Sequence, residues 1–203
     1  MTDYFALLNE PRRPGLDPDR IRQLFLARAT DVHPDRVHQA DEAEKAAANR
    51  HYAELNAACQ CLTDPKTRLL HLLELERGSR PAEIQTIPTV LADWFVDIAA
   101  VCQEADMFLL EREKVTSPLL KIQWFQRAQD WIERIQVWQQ KLNELRGELD
   151  ERLKVLDAAW LTASPTPEAK TASLARLEEL YRFYGYFNRW QNQLSERVAR
   201  LSF

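Results

Sequence analysis

The segment Asp31-Val32-His33-Pro34-Asp35-Arg36 gathers an imidazole, two carboxylates and a guanidinium within six residues. Pro34 has no amide hydrogen and pushes the residue before it out of the α region, so a helix arriving from Asp17 must end near His33. Beyond that stop lies an exposed turn carrying an imidazole, a carboxylate and a guanidinium within four residues. Alone, the triplet is also what a polar helix stop looks like, so its meaning rests on the elements that hold it. Other chemistries find less support. There is no P-loop and no Gly-rich turn, and His33, His38, His51 and His71 show no metal-ligand spacing. Cys59 and Cys61 stand two apart on a predicted helix and face different directions. All three cysteines are expected to be buried small hydrophobes in a reducing compartment. No catalytic residue, cofactor or metal is expected.

The elements around the turn follow from local signals. Tyr4-Phe5-Ala6-Leu7-Leu8 reads as a short apolar helix ended by Asn9, Pro11, Pro14 and Gly15. Asp17-Pro18 caps a second helix, with Ile21, Leu24, Phe25 and Val32 on one face and Arg20 and Arg22 outside that stripe. Arg28 falls within the stripe, where it is expected to snorkel along the core edge. Asp41-Glu42-Ala43-Glu44 opens an Ala-rich helix to about Leu62, its inner face formed by Ala48, Tyr52, Leu55, Ala58 and Cys59. This helix and the second form an antiparallel hairpin with the tripeptide at its open tip. Thr63-Asp64-Pro65 caps a fourth helix, rich in leucine, that Gly78 ends.

After a Pro-rich and polar stretch at residues 79–88, the pattern changes. Leu91, Trp94, Ile98, Val101, Ala105 and Phe108 mark a helix to about Lys114. Ala128, Trp131, Ile135, Trp138, Leu142, Leu145, Leu149, Leu156 and Trp160 then keep heptad-like spacing. Ser164-Pro165-Thr166-Pro167 breaks that run, and a last helix uses Leu174, Leu177, Tyr181, Tyr184, Leu194, Val198 and Leu201. Short connections between three such helices favour an antiparallel bundle. The six tryptophans are expected to serve packing. The chain therefore reads as all-α, with one domain at 1–78, a linker at 79–88 and a second domain at 89–203. Four glycines and 45% hydrophobic residues agree with that class. A net charge of −4 gives no general attraction to nucleic acid or anionic lipid. The start lacks a secretory signal and no stretch approaches a membrane span, so a cytoplasmic protein with protein partners is expected.

The order of these elements resembles the J domain: Tyr4-Phe5, His33-Pro34-Asp35-Arg36, Leu55-Asn56-Ala57-Ala58 and Leu62-Thr63-Asp64-Pro65 match it in order and spacing. Asp3-Tyr4-Phe5 near the start, Asp64-Pro65 followed by Arg68 and the Leu-rich helix, and the C-terminal helices resemble the HscB-type J-domain co-chaperones of iron–sulfur cluster assembly. The resemblance implies a J domain of four helices with a helical hairpin, followed by an antiparallel three-helix bundle. It implies docking of His33, Pro34, Asp35 and Arg36 on an ATP-bound DnaK/HscA-type chaperone whose hydrolysis is thereby stimulated. Arg20, Arg22 and Arg36 would steer the approach. It also implies an IscU-like scaffold as client, held by an apolar patch on the first and last helices of the bundle. Phe108-Leu109-Leu110-Glu111 resembles the family's Phe-Leu-Met-Glu stretch, and Tyr186 aligns with its last-helix aromatic, making Leu109, Leu110, Glu111 and Tyr186 the client-binding candidates. The chain departs from the family pattern at Asp31, Val32, Arg28 and Glu113, the last of which stands where the family places a leucine. Apolar residues at helical spacing are usually core, and Leu109, Leu110, Tyr186 and Phe187 fit that reading equally well. A J-domain adaptor for a different client, with the bundle as a generic interaction or dimerisation module, is the alternative that the long heptad run supports.

Overall fold

The structure, a computed structural model, describes residues 2–32, 41–81, 88–112, 117–162 and 166–202. Its elements are α1 (Tyr4–Leu8), α2 (Pro18–Asp31), α3 (Glu42–Thr63), α4 (Pro65–Arg77), a 3-10 turn (Thr89–Leu91), α5 (Ala92–Glu111), α6 (Pro118–Thr162) and α7 (Pro167–Ser202). Among the described residues there is no strand, and the fold is all-α.

Each N-terminal helix begins on an aspartate that satisfies orphan amides. Asp3 accepts from the N–H groups of Phe5 and Ala6, Asp17 from Asp19, Asp41 from Glu44 and Asp64 from Thr67. Each such cap is worth about 1 kcal/mol. Pro18 and Pro65 sit in the first turns of α2 and α4, where a missing N–H costs nothing. Asn9 and Gly78 end α1 and α4 in the left-handed region, at φ 57° and 73°.

The chain divides into two compact units: Met1–Ala82 with Glu151–Arg182, and Glu83–Asp150 with Phe183–Phe203. The division does not follow a boundary at 79–88 alone, because α6 and α7 each supply residues to both units.

In the first unit, Phe5, Leu8, Ile21, Leu55, Ala58, Leu62, Leu69, Leu72 and Leu73 are almost fully buried. Two polar side chains complete this core. Arg68 is 2% exposed and donates to the carbonyls of Pro14 (2.7 Å) and Leu62 (2.5 Å). The His71 ring stacks on Phe5 at 5.7 Å, and its Nε2 accepts the Tyr4 N–H at 3.1 Å. Burial holds the His71 pKa below the ordinary 6.5, against the opposing pull of Asp3 and Glu74. That direction agrees with a ring nitrogen kept as an acceptor. Arg28 reaches out of its stripe and donates to the Leu7 carbonyl, which ties α2 to α1.

The Glu151–Arg182 segment is built into the same unit by polar ties. Asp157, 8% exposed, receives the Arg13 guanidinium on both oxygens and the Gly15 N–H at 2.8 Å. A Cβ on Gly15 would stand 2.6 Å from Asp157 Cγ, so the close approach demands glycine there. Trp160 Nε1 donates to the Arg12 carbonyl at 3.1 Å, and Arg77 and Lys170 pair with Glu178 and Glu76 at 2.6 and 2.9 Å.

The second unit is a bundle of α5, the first part of α6 and the last part of α7. Ring distances and ion pairs fix the register. Trp94 meets Trp138, Glu104 meets Arg134 and Glu111 meets Arg127, so α5 and α6 run antiparallel. Trp94 also meets Trp190 and Asp106 meets Arg197, so α5 and α7 run parallel. Along α6, Ala128, Ile135, Leu142, Leu149 and Leu156 are buried at successive sevens, the spacing of a coiled-coil seam. At 45 residues, α6 rises about 67 Å, longer than its heptad run alone indicates.

Candidate functional site

His33, Pro34, Asp35 and Arg36 lie outside the described residues, as do His38 and Glu113. The frame that carries the turn is described. Helix α2 runs to Asp31 with Val32 as its C-cap, and α3 begins at Glu42 on the Asp41 cap. The two helices pack side by side, with Phe25 and Tyr52 rings 6.1 Å apart. The chain therefore leaves one packed helix and enters its neighbour across residues 33–40. Arg20 pairs with Glu10 at 2.7 Å and Arg22 with Asp19 at 2.6 Å, while 64% and 58% of their side chains stay in water. Pairs so exposed are weak, and both arginines keep their charge at the surface of α2.

The other predicted residues lie on the bundle. Leu109 is 7% exposed and belongs to the core, whereas Leu110 is 63% exposed. Glu111 is turned toward α6, where it pairs with Arg127 at 2.9 Å. Tyr186 is half-buried with its ring 5.7 Å from Trp190. Leu110 alone of these four lines the groove of about 440 Å³ between α5 and α7, whose floor includes Trp190 and whose rim includes Phe95 and Met107, 39% and 63% exposed. Sequence reasoning passed over Phe95 and Met107. The available signal was a surplus: α5 carries more apolar residues than its core stripe needs.

The cysteines differ from the expectation. Cys102 is buried, but Cys59 and Cys61 are only half-buried, because they flank rather than join the inner face of α3. Burial still raises the thiol pKa of all three, that of Cys61 to about 11, which keeps them protonated near neutral pH and weakens them as ligands or nucleophiles. No group of three or more metal-ligating side chains occurs among the described residues. No described helix is long and apolar enough to cross a membrane.

Taken together, these features describe an all-α protein with an exposed apolar groove on α5 and α7. Comparison with known proteins sharpens that class. The chain is similar to HscB-type co-chaperones. It is 40% identical over 72 residues to the co-chaperone protein HscB homolog of Bordetella pertussis, which is 36% of this chain and 42% of that protein. With the corresponding homolog of Paraburkholderia phymatum it shares 38% over 83 residues, 41% of this chain and 47% of that protein. The chain thus matches less than half the length of these curated relatives. No family model matches it. In fold it is similar to the chaperone HscB from Vibrio cholerae, with a TM-score of 0.59, 16% identity, and coverage of 98% of this chain and 99% of that one.

Proposed function

We propose that this chain is a J-type co-chaperone acting in iron–sulfur cluster assembly. The observation that carries the reading is the 40% identity to an HscB homolog over 72 residues. A fold likeness that spans nearly the whole chain agrees with it. In this reading the protein performs no chemistry of its own and works in the cytoplasm. Asp35 accepts an arginine of an ATP-bound DnaK/HscA-type chaperone, and His33 supplies an imidazole beside that contact. Pro34, whose ring fixes its φ, limits the entropy lost on docking, and Arg20, Arg22 and Arg36 raise the association rate more than the affinity. The bundle presents an IscU-like scaffold, with Leu109, Leu110, Glu111 and Tyr186 as the proposed client residues; the exposure of Leu110 makes it the foremost of them.

The test is single-turnover ATP hydrolysis by an HscA-type chaperone with this protein, with and without IscU. Joint stimulation larger than that by either alone is expected. Stimulation indifferent to IscU would move the client assignment to a different protein, the role of adaptor. The Asp35→Asn variant should abolish stimulation while its helical circular dichroism stays unchanged. Normal stimulation by that variant would overturn the docking mechanism.

A further inference from the structure

The groove between α5 and α7 has a chemical polarity that the four residues expected from the sequence do not describe. On α5, Phe95, Ala99, Met107 and Leu110 recur at helical spacing along its length. Met107 and Leu110 are each 63% exposed and stand three residues apart on one helix face. The charges in the groove are unequal. Asp106 is neutralised twice, by Arg197 at 2.5 Å and Arg200 at 3.3 Å, and Arg197 is further held by the Cys102 carbonyl. Arg189, exposed at the Phe95 end where α5 and α7 are joined by Trp94 and Trp190, has no ion-pair partner among the described residues. The one acid that lines the groove is therefore spoken for, and a cation remains.

We infer that this groove receives an apolar segment carrying a carboxylate: Phe95, Met107 and Leu110 grip its apolar side chains, and Arg189 pairs with its acid. The inference rests on the reading of the bundle as a partner-presenting surface and adds the charge that the partner must bring. An arginine suits this task because its planar fork can take both oxygens of a carboxylate. A segment of the opposite charge would meet Arg189 as a like charge, with no unpaired acid in the groove to compensate.

The test uses the full chain and three short synthetic peptides that share one amphipathic Leu/Met stripe and differ only at the flanking positions, which are Glu, Gln or Lys. Fluorescence anisotropy should rank them Glu, Gln, Lys, with each step about two- to fivefold in Kd, the scale of an exposed ion pair. Arg189→Glu should reverse the order. The double variant Met107→Gln, Leu110→Gln should weaken all three, and since both residues are exposed its circular dichroism should not change. Equal affinities for the three peptides would overturn the charge assignment, and failure of all three to bind would overturn the groove. Binding of IscU to the wild-type chain, measured in parallel, tests the proposed function separately. Peptide ranking intact without IscU binding would sink the client assignment alone. IscU binding without peptide ranking would sink the groove's charge preference alone.

Discussion

The two units are held by different means. In the first, short helices start on aspartate caps, and buried polar groups make directed bonds: Arg68 to two carbonyls, His71 to an amide, Asp157 to Arg13 and Gly15. In the second, long helices meet chiefly along an apolar seam in which Ala128, Ile135, Leu142 and Leu149 repeat by sevens, with fewer directed ties, from Arg197 to Asp106 and the Cys102 carbonyl and from Tyr184 to Asp150. Directed bonds demand particular side chains, whereas a seam demands only apolar residues of about the right volume. A fold held by a seam tolerates extensive apolar substitution. The directed half is where single replacements should cost most.

The sharpest way to break that contrast is Arg68→Leu. It strands two buried carbonyls and should cost about 3 kcal/mol or more, seen as a lower denaturation midpoint. A loss below about 1 kcal/mol would mean that the directed bonds add little. Next comes Gly15→Ala. Its Cβ would have to displace Asp157 from a 2.6 Å approach, loosening both ties to that carboxylate, for about 2 kcal/mol. In the seam, Leu142→Met should cost less than about 1.5 kcal/mol by the same measurement. A larger loss there would show that the bundle is as particular as the first unit.

The smallest effect depends on pH. Burial lowers the His71 pKa below 6.5, while Asp3 and Glu74 raise it and Arg12 lowers it. The folded value lies under the unfolded one, so the contribution is fully present above about pH 6.5 and is lost as pH falls below it. Protonation would also remove the acceptor for the Tyr4 N–H. Thermal denaturation of the wild type and His71→Phe should show the wild type losing ground to the variant between pH 7 and pH 5. A constant difference would overturn the assignment.

Much of this was legible in the sequence because its causes are local. Asp17-Pro18, Asp64-Pro65 and Gly78 mark helix ends by their own backbone chemistry, and the seam announces itself by spacing. Arg28 was expected at a core edge, and it reaches the Leu7 carbonyl. Asp157 was not legible: an acid on a charged helix looks solvated, and its partner Arg13 lies 144 residues away. Phe95 and Met107 were hidden for a related reason. A periodicity shows which residues can share a face, but not which faces are left without a neighbour. The pairing of Glu111 with Arg127 follows from a helix register that no local signal encodes.

The Asp157 tie also has a consequence in time. Gly15 and Asp157 are 142 residues apart, which a ribosome takes roughly 7–30 s to cross. Through that interval a nascent chain can assemble α1 to α4, but its Arg13 side chain and Gly15 amide await a carboxylate that has not yet been made. The segment before α2 therefore closes late in synthesis, after the helices on either side of it.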